Sequence, residues 1–280
     1  MTDFLLEPFS YHYMVKAIWV CALVGGVCAF MSSYLMLKGW SLMGDALAHS
    51  IVPGVALAYL LSLPYAAGAF FAGLLAAGSM SAVKHKTKLR EDTVIGLVFT
   101  AFFASGLLLV SIYPTSINIQ GIILGNILAI SDYDIWQVVF ISLVCLTVLL
   151  LKWKDFLAVF FDERHARSIG LPVSFLRVLF FTLLSAVCVA ALQTVGACLV
   201  IAMVITPGAT AYLLTDTFNR LILIATILGS CTSGLGAYLS YFLDANPGGL
   251  IVILQTLIFL AAFFFAPKYG LLRRRTNIHG

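Results

Sequence analysis

Apolar residues run in long, nearly unbroken stretches along this chain, and most charges lie in the gaps between them. A helix that crosses a bilayer needs about 20 mainly apolar residues. That rule places spans near 15–37, 41–62, 64–83, 93–113, 134–151, 175–193, 195–214, 221–243 and 249–267. The expected fold is therefore all-α, a polytopic membrane bundle of about nine spans with eight as the alternative. The uncharged run from Pro172 to Leu214 is too long for one helix and just long enough for two, so a break is expected near Thr194 to Gly196. Small residues, among them Gly25, Gly26, Gly68, Gly73, Gly78, Gly229, Gly234 and Gly236, predict close helix packing.

Two connections exceed a turn. Pro114 to Asp134 holds an apolar piece too short to span, expected to be a re-entrant or surface helix. On the other side, 152–176 is the longest polar segment. Within it Asp162 to Ile169 predicts a short helix, acidic at its start, ended by Gly170 and followed by Pro172. An element of that size suits docking to a partner.

Composition agrees with the pattern. Of 280 residues 62% are hydrophobic and 10% charged, mean hydropathy is +1.06, and no polar stretch of domain length interrupts the runs. The expected organisation is one transmembrane domain over 1–280, with a docking loop at 152–176 and a basic tail at 268–280. The net charge of +4 comes from clusters in short loops and the tail, a topology signal and not a nucleic-acid surface. With nine spans and the N-terminus outside, Lys84, Lys86, Lys88, Arg90, Lys152, Lys154, Arg164, Arg167, Arg177, Lys268 and Arg273 to Arg275 all fall on the cytoplasmic face. The N-terminus carries Asp3 and Glu7 where a signal peptide would be basic, and is expected to be retained. Six cysteines, none in a CxxC or CxxH unit, read as small packing residues.

The stretch GWSLMGDALAHSIVPGVALA, Gly39 to Ala58, is where chemistry concentrates. Asp45 and His49 lie four residues apart, so on a helix they stack on one face about 6 Å apart. A charged aspartate at mid-bilayer costs roughly 2.5–3.5 kcal/mol on insertion scales, so it should face a partner or a water-filled path. A carboxylate and a neutral imidazole suit Mn, Fe or Zn, but two ligands are too few, and a twofold dimer would double them. The alternatives are an Asp–His contact that only orients helices, and a proton relay. Pro53 and Gly54 are expected to break the helix nearby. In Gln193 to Thr210, Gln193 at a helix break and Thr206-Pro207-Gly208 within a span suit a gate as well as they suit ordinary packing. Asp132 and Asp134 would either draw cations to the outer mouth or serve as solvated charges and a helix cap. His12, His85, His165 and His279 read as surface residues.

Several classes drop out. The order of Gly44-Asp45 and Tyr133-Asp134 is wrong for an intramembrane aspartyl protease, and HExxH and GxSxG are absent. No GxxxxGK[ST] loop occurs, so ATP would have to be hydrolysed by another polypeptide. A proton-coupled secondary transporter is the rival from another class.

Three motifs, SLMGDALAHSIVPGVALA, FDERHARSIGLPV and QTVGACLVIAMVITPGATAYLL, with GNILAISDYD between the first and second, resemble the metal-uptake permeases of the ABC-3 family, in the manganese and iron (Sit- and Yfe-like) branch. The resemblance spans nearly the whole chain in order. It implies a non-enzymatic permease subunit of an ATP-driven importer, similar to type II ABC importers, in the bacterial inner membrane. The implied cargo is Mn²⁺ or Fe²⁺, with Zn²⁺ the competitor, and no cofactor is held permanently. The implied partners are a second copy, cytoplasmic ATP-binding subunits and an extracytoplasmic metal-binding protein. It assigns Asp45 and His49 to metal coordination and the segment holding Asp162, Glu163, Arg164, Ala166 and Gly170 to ATPase docking. It gives Gln193 no role beyond proximity to a gate.

Overall fold

The structure, a computed structural model, describes residues 2–113 and 131–266. The described residues form α1 (Thr2–Ser10), α2 (His12–Lys38), α3 (Ser41–Ser50), α4 (Val52–Leu60), α5 (Tyr65–Lys86), α6 (Glu91–Ile112), α7 (Asp132–Phe161), α8 (Glu163–Ser168), α9 (Val173–Val195), α10 (Ala197–Leu214), α11 (Phe218–Leu243) and α12 (Pro247–Phe265). Every expected span is helical, and the chain is a multi-pass, all-helical membrane protein. By length and composition 8 spans qualify, α3 and α4 together making Leu42–Leu60, while α10 carries the shorter apolar helix Val200–Leu214. The surface or re-entrant helix expected in Pro114 to Asp134 lies, up to residue 130, outside the described residues, as does the tail 268–280.

One boundary differs. The span expected at 134–151 continues to Phe161, so Lys152 to Phe161 extend α7 and are not loop. The reason is a buried face: Phe156, Val159 and Phe160 continue the helical spacing of Leu149 and pack into the core, while Lys152 and Asp155 pair at 3.0 Å outside.

α2 is the centre of the bundle. It approaches α11 where side chains are missing: a Cβ on Gly26 would stand 3.2 Å from Ser230 Oγ, and one on Gly25 would collide with Ser233. Ser230 Oγ donates to the carbonyl of Ala22 at 2.7 Å across the same seam. Without a hydrophobic drive between helices in lipid, such backbone proximity supplies the packing energy. Nearer the α8 end, Tyr34 is fully buried, meets Phe156, Phe160, Phe180 and Phe218 edge-on at 5.1–6.1 Å, and donates its hydroxyl to the carbonyl of Trp153.

The broken second span sits in a cradle of the same kind. Gly54 on α4 and Gly68 on α5 touch backbone to backbone, Gly106 on α6 abuts Pro53 and Val52, and a Cβ on Gly73 would stand 3.2–3.3 Å from Ser185 and Ile51. Gly78, also on α5, faces open space. We therefore expect Gly54→Ala to lower the thermal midpoint of the purified protein, at an overpacking cost of about 1–3 kcal/mol. Gly78→Ala should leave it equal or raised, since alanine is favoured over glycine in a helix by about 0.5–1 kcal/mol. Equal midpoints for both variants would refute the contact.

Candidate metal site and docking helix

Asp45 and His49 come together as their spacing requires. Both lie on α3, and Asp45 Oδ1 stands 2.9 Å from His49 Nδ1, with the side chains 33% and 23% exposed. Nδ1 also lies 3.1 Å from the backbone carbonyl of Asp45. A carbonyl can only accept, so Nδ1 carries the hydrogen in that bond and, in the neutral ring, Nε2 holds the lone pair. Asp45 Oδ1 is buried and accepts no aligned hydrogen bond despite its nearness to the ring. A carboxylate oxygen sealed from water without a donor is costly unless a cation or proton meets it.

The ring is held edge-on against Phe99 and Phe103 of α6, at 5.6 and 5.8 Å. Sequence reasoning passed over these two. Their four-residue spacing, one face of α6, was the available signal. Just beyond the pair, α3 stops at Ser50 and α4 starts at Val52, a residue before the expected Pro53. Pro53 has no N–H for the carbonyl of His49, and the N–H of Ile51 turns to it instead. Ser50 Oγ donates to the carbonyl of Ala46 at 2.6 Å. No group of three or more His, Cys, Asp or Glu that could hold a metal ion forms among the described residues.

Thr206 and Pro207 lie on α10, which packs on α3 beside the pair: a Cβ on Gly44 would stand 2.8 Å from Val204 Cγ1. Pro207 is buried and Thr206 half-buried. Ser32 of α2 meets the helix on either side of the proline, its Oγ donating to the carbonyl of Ile205 at 3.2 Å and accepting from Gly208 N–H at 3.1 Å. The α9 to α10 break falls at Gly196, φ +86°, where it was expected; the Gln193 side chain is outside the described residues. At the opposite end of the bundle from α8, Asp132 pairs with Lys16, and Asp134 shares the start of α7 with the capping hydroxyl of Ser131. The carboxylates thus act in a pair and a cap. His12 and His165 are exposed, and the His85 side chain and His279 fall outside the described residues. Of the cysteines, Cys21, Cys28, Cys145 and Cys188 are buried and Cys231 is exposed, all as free thiols.

The short helix expected at Asp162 to Ile169 forms as α8. Asp162 caps it, Oδ1 accepting from the N–H groups of Arg164 at 2.9 Å and His165 at 3.1 Å. Gly170, φ +82°, closes it, with its N–H on the carbonyl of Arg167. Glu163 turns inward to Arg167 at 3.0 Å and to Arg177 of α9, and Ala166 is buried against the bundle. Thus Asp162, Glu163, Ala166 and Gly170 build and anchor the helix, and Arg164, His165 and Ile169 form its exposed face.

Comparison with known proteins places this geometry in context. The ABC 3 transport family matches residues 10–266. The chain is 67% identical over 275 residues to the "Chelated iron transport system membrane protein YfeC" of Yersinia pestis, covering 98% of this chain and 94% of that protein. It is 48% identical to the "Manganese transport system membrane protein MntB" of Synechocystis sp., covering 96% and 88%. Among solved structures, PsaBC from Streptococcus pneumoniae in complex with Fab superposes with a TM-score of 0.86 at 34% identity, covering 98% of this chain and all of that one.

The backbone hydrogen bonds to Asp162, chiefly from His165, hold its carboxyl below the usual aspartate range. Its contribution to α8 is therefore complete above the unfolded aspartate pKa and is lost as pH falls through the lowered one. We expect Asp162→Ala to speed amide exchange in α8 at neutral pH and Asp162→Asn to preserve protection. Equal exchange in wild type and Asp162→Ala would remove the cap's role.

Proposed function

This chain belongs to the ABC 3 transport family, and on that premise we propose that it is the membrane-spanning permease subunit of an ATP-driven importer that brings Mn²⁺ or Fe²⁺ across the bacterial inner membrane. The observation that carries the reading is the Asp45 carboxylate oxygen, buried without a donor beside an imidazole whose Nε2 lone pair is free of the Nδ1 bond, within a membrane span. The names of full-length relatives, iron for one and manganese for another, support the cargo. Oxygen and imidazole nitrogen are hard to intermediate ligands that hold such ions without the tight grip of thiolates, and release is as necessary as capture.

One pair is an incomplete shell. In our reading two copies face each other across a twofold axis and contribute both pairs, four protein ligands with water completing the sphere. Thr206 and Pro207, packed beside α3, and Gln193 at the neighbouring break would gate the route. ATP-binding subunits would engage α8 through Arg164, His165 and Ile169, and a binding protein would deliver the ion at the far face. In the same reading, α8 and the C-terminus lie in the cytoplasm and the N-terminus outside, because the basic residues cluster in the loops of that face. Alternation of access then requires only that the motors favour one arrangement of the two copies over the other.

Asp45→Ala and His49→Ala should each reduce uptake of radiolabelled manganese or iron in cells by at least about tenfold, the loss expected when a ligand worth 1.4 kcal/mol or more is removed. Membrane insertion and co-purification with the ATP-binding subunit should stay at wild-type level. Wild-type uptake in both variants would end the site assignment. Competition among manganese, iron and zinc for uptake by the whole complex identifies the cargo, and preferential inhibition by zinc would overturn the manganese and iron assignment. Arg164→Glu should weaken capture of the ATP-binding subunit, and unchanged capture would exclude the exposed face of α8 as the dock.

A further inference from the structure

α1 sits at the end of the bundle opposite α8 and leaves two unlike faces uncovered. It turns away from α2 at Tyr11, whose extended backbone, φ −94° and ψ 117°, separates the two helices. It packs on α2 and reaches the end of α11 through ring contacts, Phe9 on Tyr238 and Tyr11 on Tyr241, each at 5.7 Å. Pro8 is buried against that support. Leu6 and Phe9, three apart and so on one face, are 61% and 50% exposed. Glu7 and Ser10, also three apart, are exposed on a second face about 100° around the helix. Ser10 Oγ donates to the carbonyl of Glu7 at 2.6 Å and so closes the polar face at its end.

The apolar face continues a longer surface. On α11, Leu223, Ile227, Cys231 and Leu235 recur every fourth residue, and all four are exposed. Tyr238 and Phe242, in ring contact at 5.2 Å, carry that row to the end of the helix, and Phe9 extends it onto α1 through Tyr238. An exposed apolar row along a membrane span has acyl chains for its neighbours. Tyr11, Tyr13, Tyr238 and Tyr241 gather where the row ends, and tyrosine is a residue that collects at the headgroup level of a bilayer. A protein approaching from water would meet Glu7 and Ser10, whereas Leu6 and Phe9 prolong the surface that hydrocarbon covers. Thr2–Ser10 carries Asp3 and Glu7 and no Lys or Arg, so burial of apolar side chains, and not attraction to anionic headgroups, must hold it there.

We propose that α1 is an interfacial helix. Leu6 and Phe9 enter the boundary between headgroups and acyl chains in the leaflet at the α1 end, Glu7 and Ser10 face water, and the ends of α2 and α11 are thereby tied to the membrane surface. The partner is the lipid surface itself, whatever its headgroup charge. The inference is independent of the Asp45 pair and of the ion carried.

The test replaces Leu6, Phe9 or Ser10 in turn by the photoreactive residue p-benzoylphenylalanine in the full-length chain, irradiates it in cells and in nanodiscs, and reads the mass attached. Leu6 and Phe9 positions should capture phospholipid at least about fivefold more often than the Ser10 position. That ratio should be the same in phosphatidylcholine with and without phosphatidylglycerol, and at low and high salt. In the same nanodiscs Leu6→Asp should speed amide exchange of α1 by roughly tenfold, while Leu6→Phe and Glu7→Gln should leave it at the wild-type rate. Capture of a protein in place of lipid at Leu6 and Phe9, whether a second copy or another polypeptide, overturns the proposal. So does equal lipid capture at all three positions, or exchange in α1 that Leu6→Asp does not change.

Discussion

Hydrocarbon offers no water to a carbonyl left without a partner, and this chain breaks one span between α3 and α4 and carries Pro207 inside another. How it pays for those interruptions decides where everything else can go. At the α3 to α4 break, the Ile51 N–H and the Ser50 hydroxyl close the turn locally. At Pro207 the help comes from another helix, the Ser32 hydroxyl of α2 both donating and accepting. Glycines on the facing helices then let the broken segments be clamped by backbone, Gly68 and Gly106 on one side and Gly208 against Ser32 on the other.

The consequence is a rigid frame around a pair that would otherwise be expensive. Asp45 and His49 sit one turn before the break, and the ring is wedged by Phe99 and Phe103. Gly44 brings α3 against α10 two residues from Thr206. The carboxylate is therefore positioned by closely packed elements, and its Oδ1 is among the buried side-chain oxygens of the described residues that lack a hydrogen-bond partner.

Much of this was legible because the bilayer enforces simple rules. Length alone located the helices, and a spacing of four put Asp45 over His49. Asp162 before Glu163 and Gly170 after Ser168 announced α8 by cap chemistry that depends on near neighbours. What stayed hidden depends on distant ones. Nothing in the local pattern says that Glu163 is committed to Arg177, 14 residues on. The extension of α7 was missed because Lys152, Lys154 and Asp155 look like a loop until Phe156, Val159 and Phe160 are seen to be buried. Spacing put Phe99 and Phe103 on one face of α6, but an apolar ring in an apolar span carries no mark of what it touches.

The direction of one hydrogen carries further than its size suggests. A ring that conducts protons must take one on at one nitrogen and shed another from the opposite nitrogen, then reset. In His49 the outgoing hydrogen is aimed at the peptide oxygen of its own turn and not along the carboxylate, so each cycle would begin by unfastening the ring from its helix. Under the proposed metal reading, a cation held at Nε2 demands no such release. The local stereochemistry thus sets a cost on proton relay through this ring that the proposed metal reading does not incur.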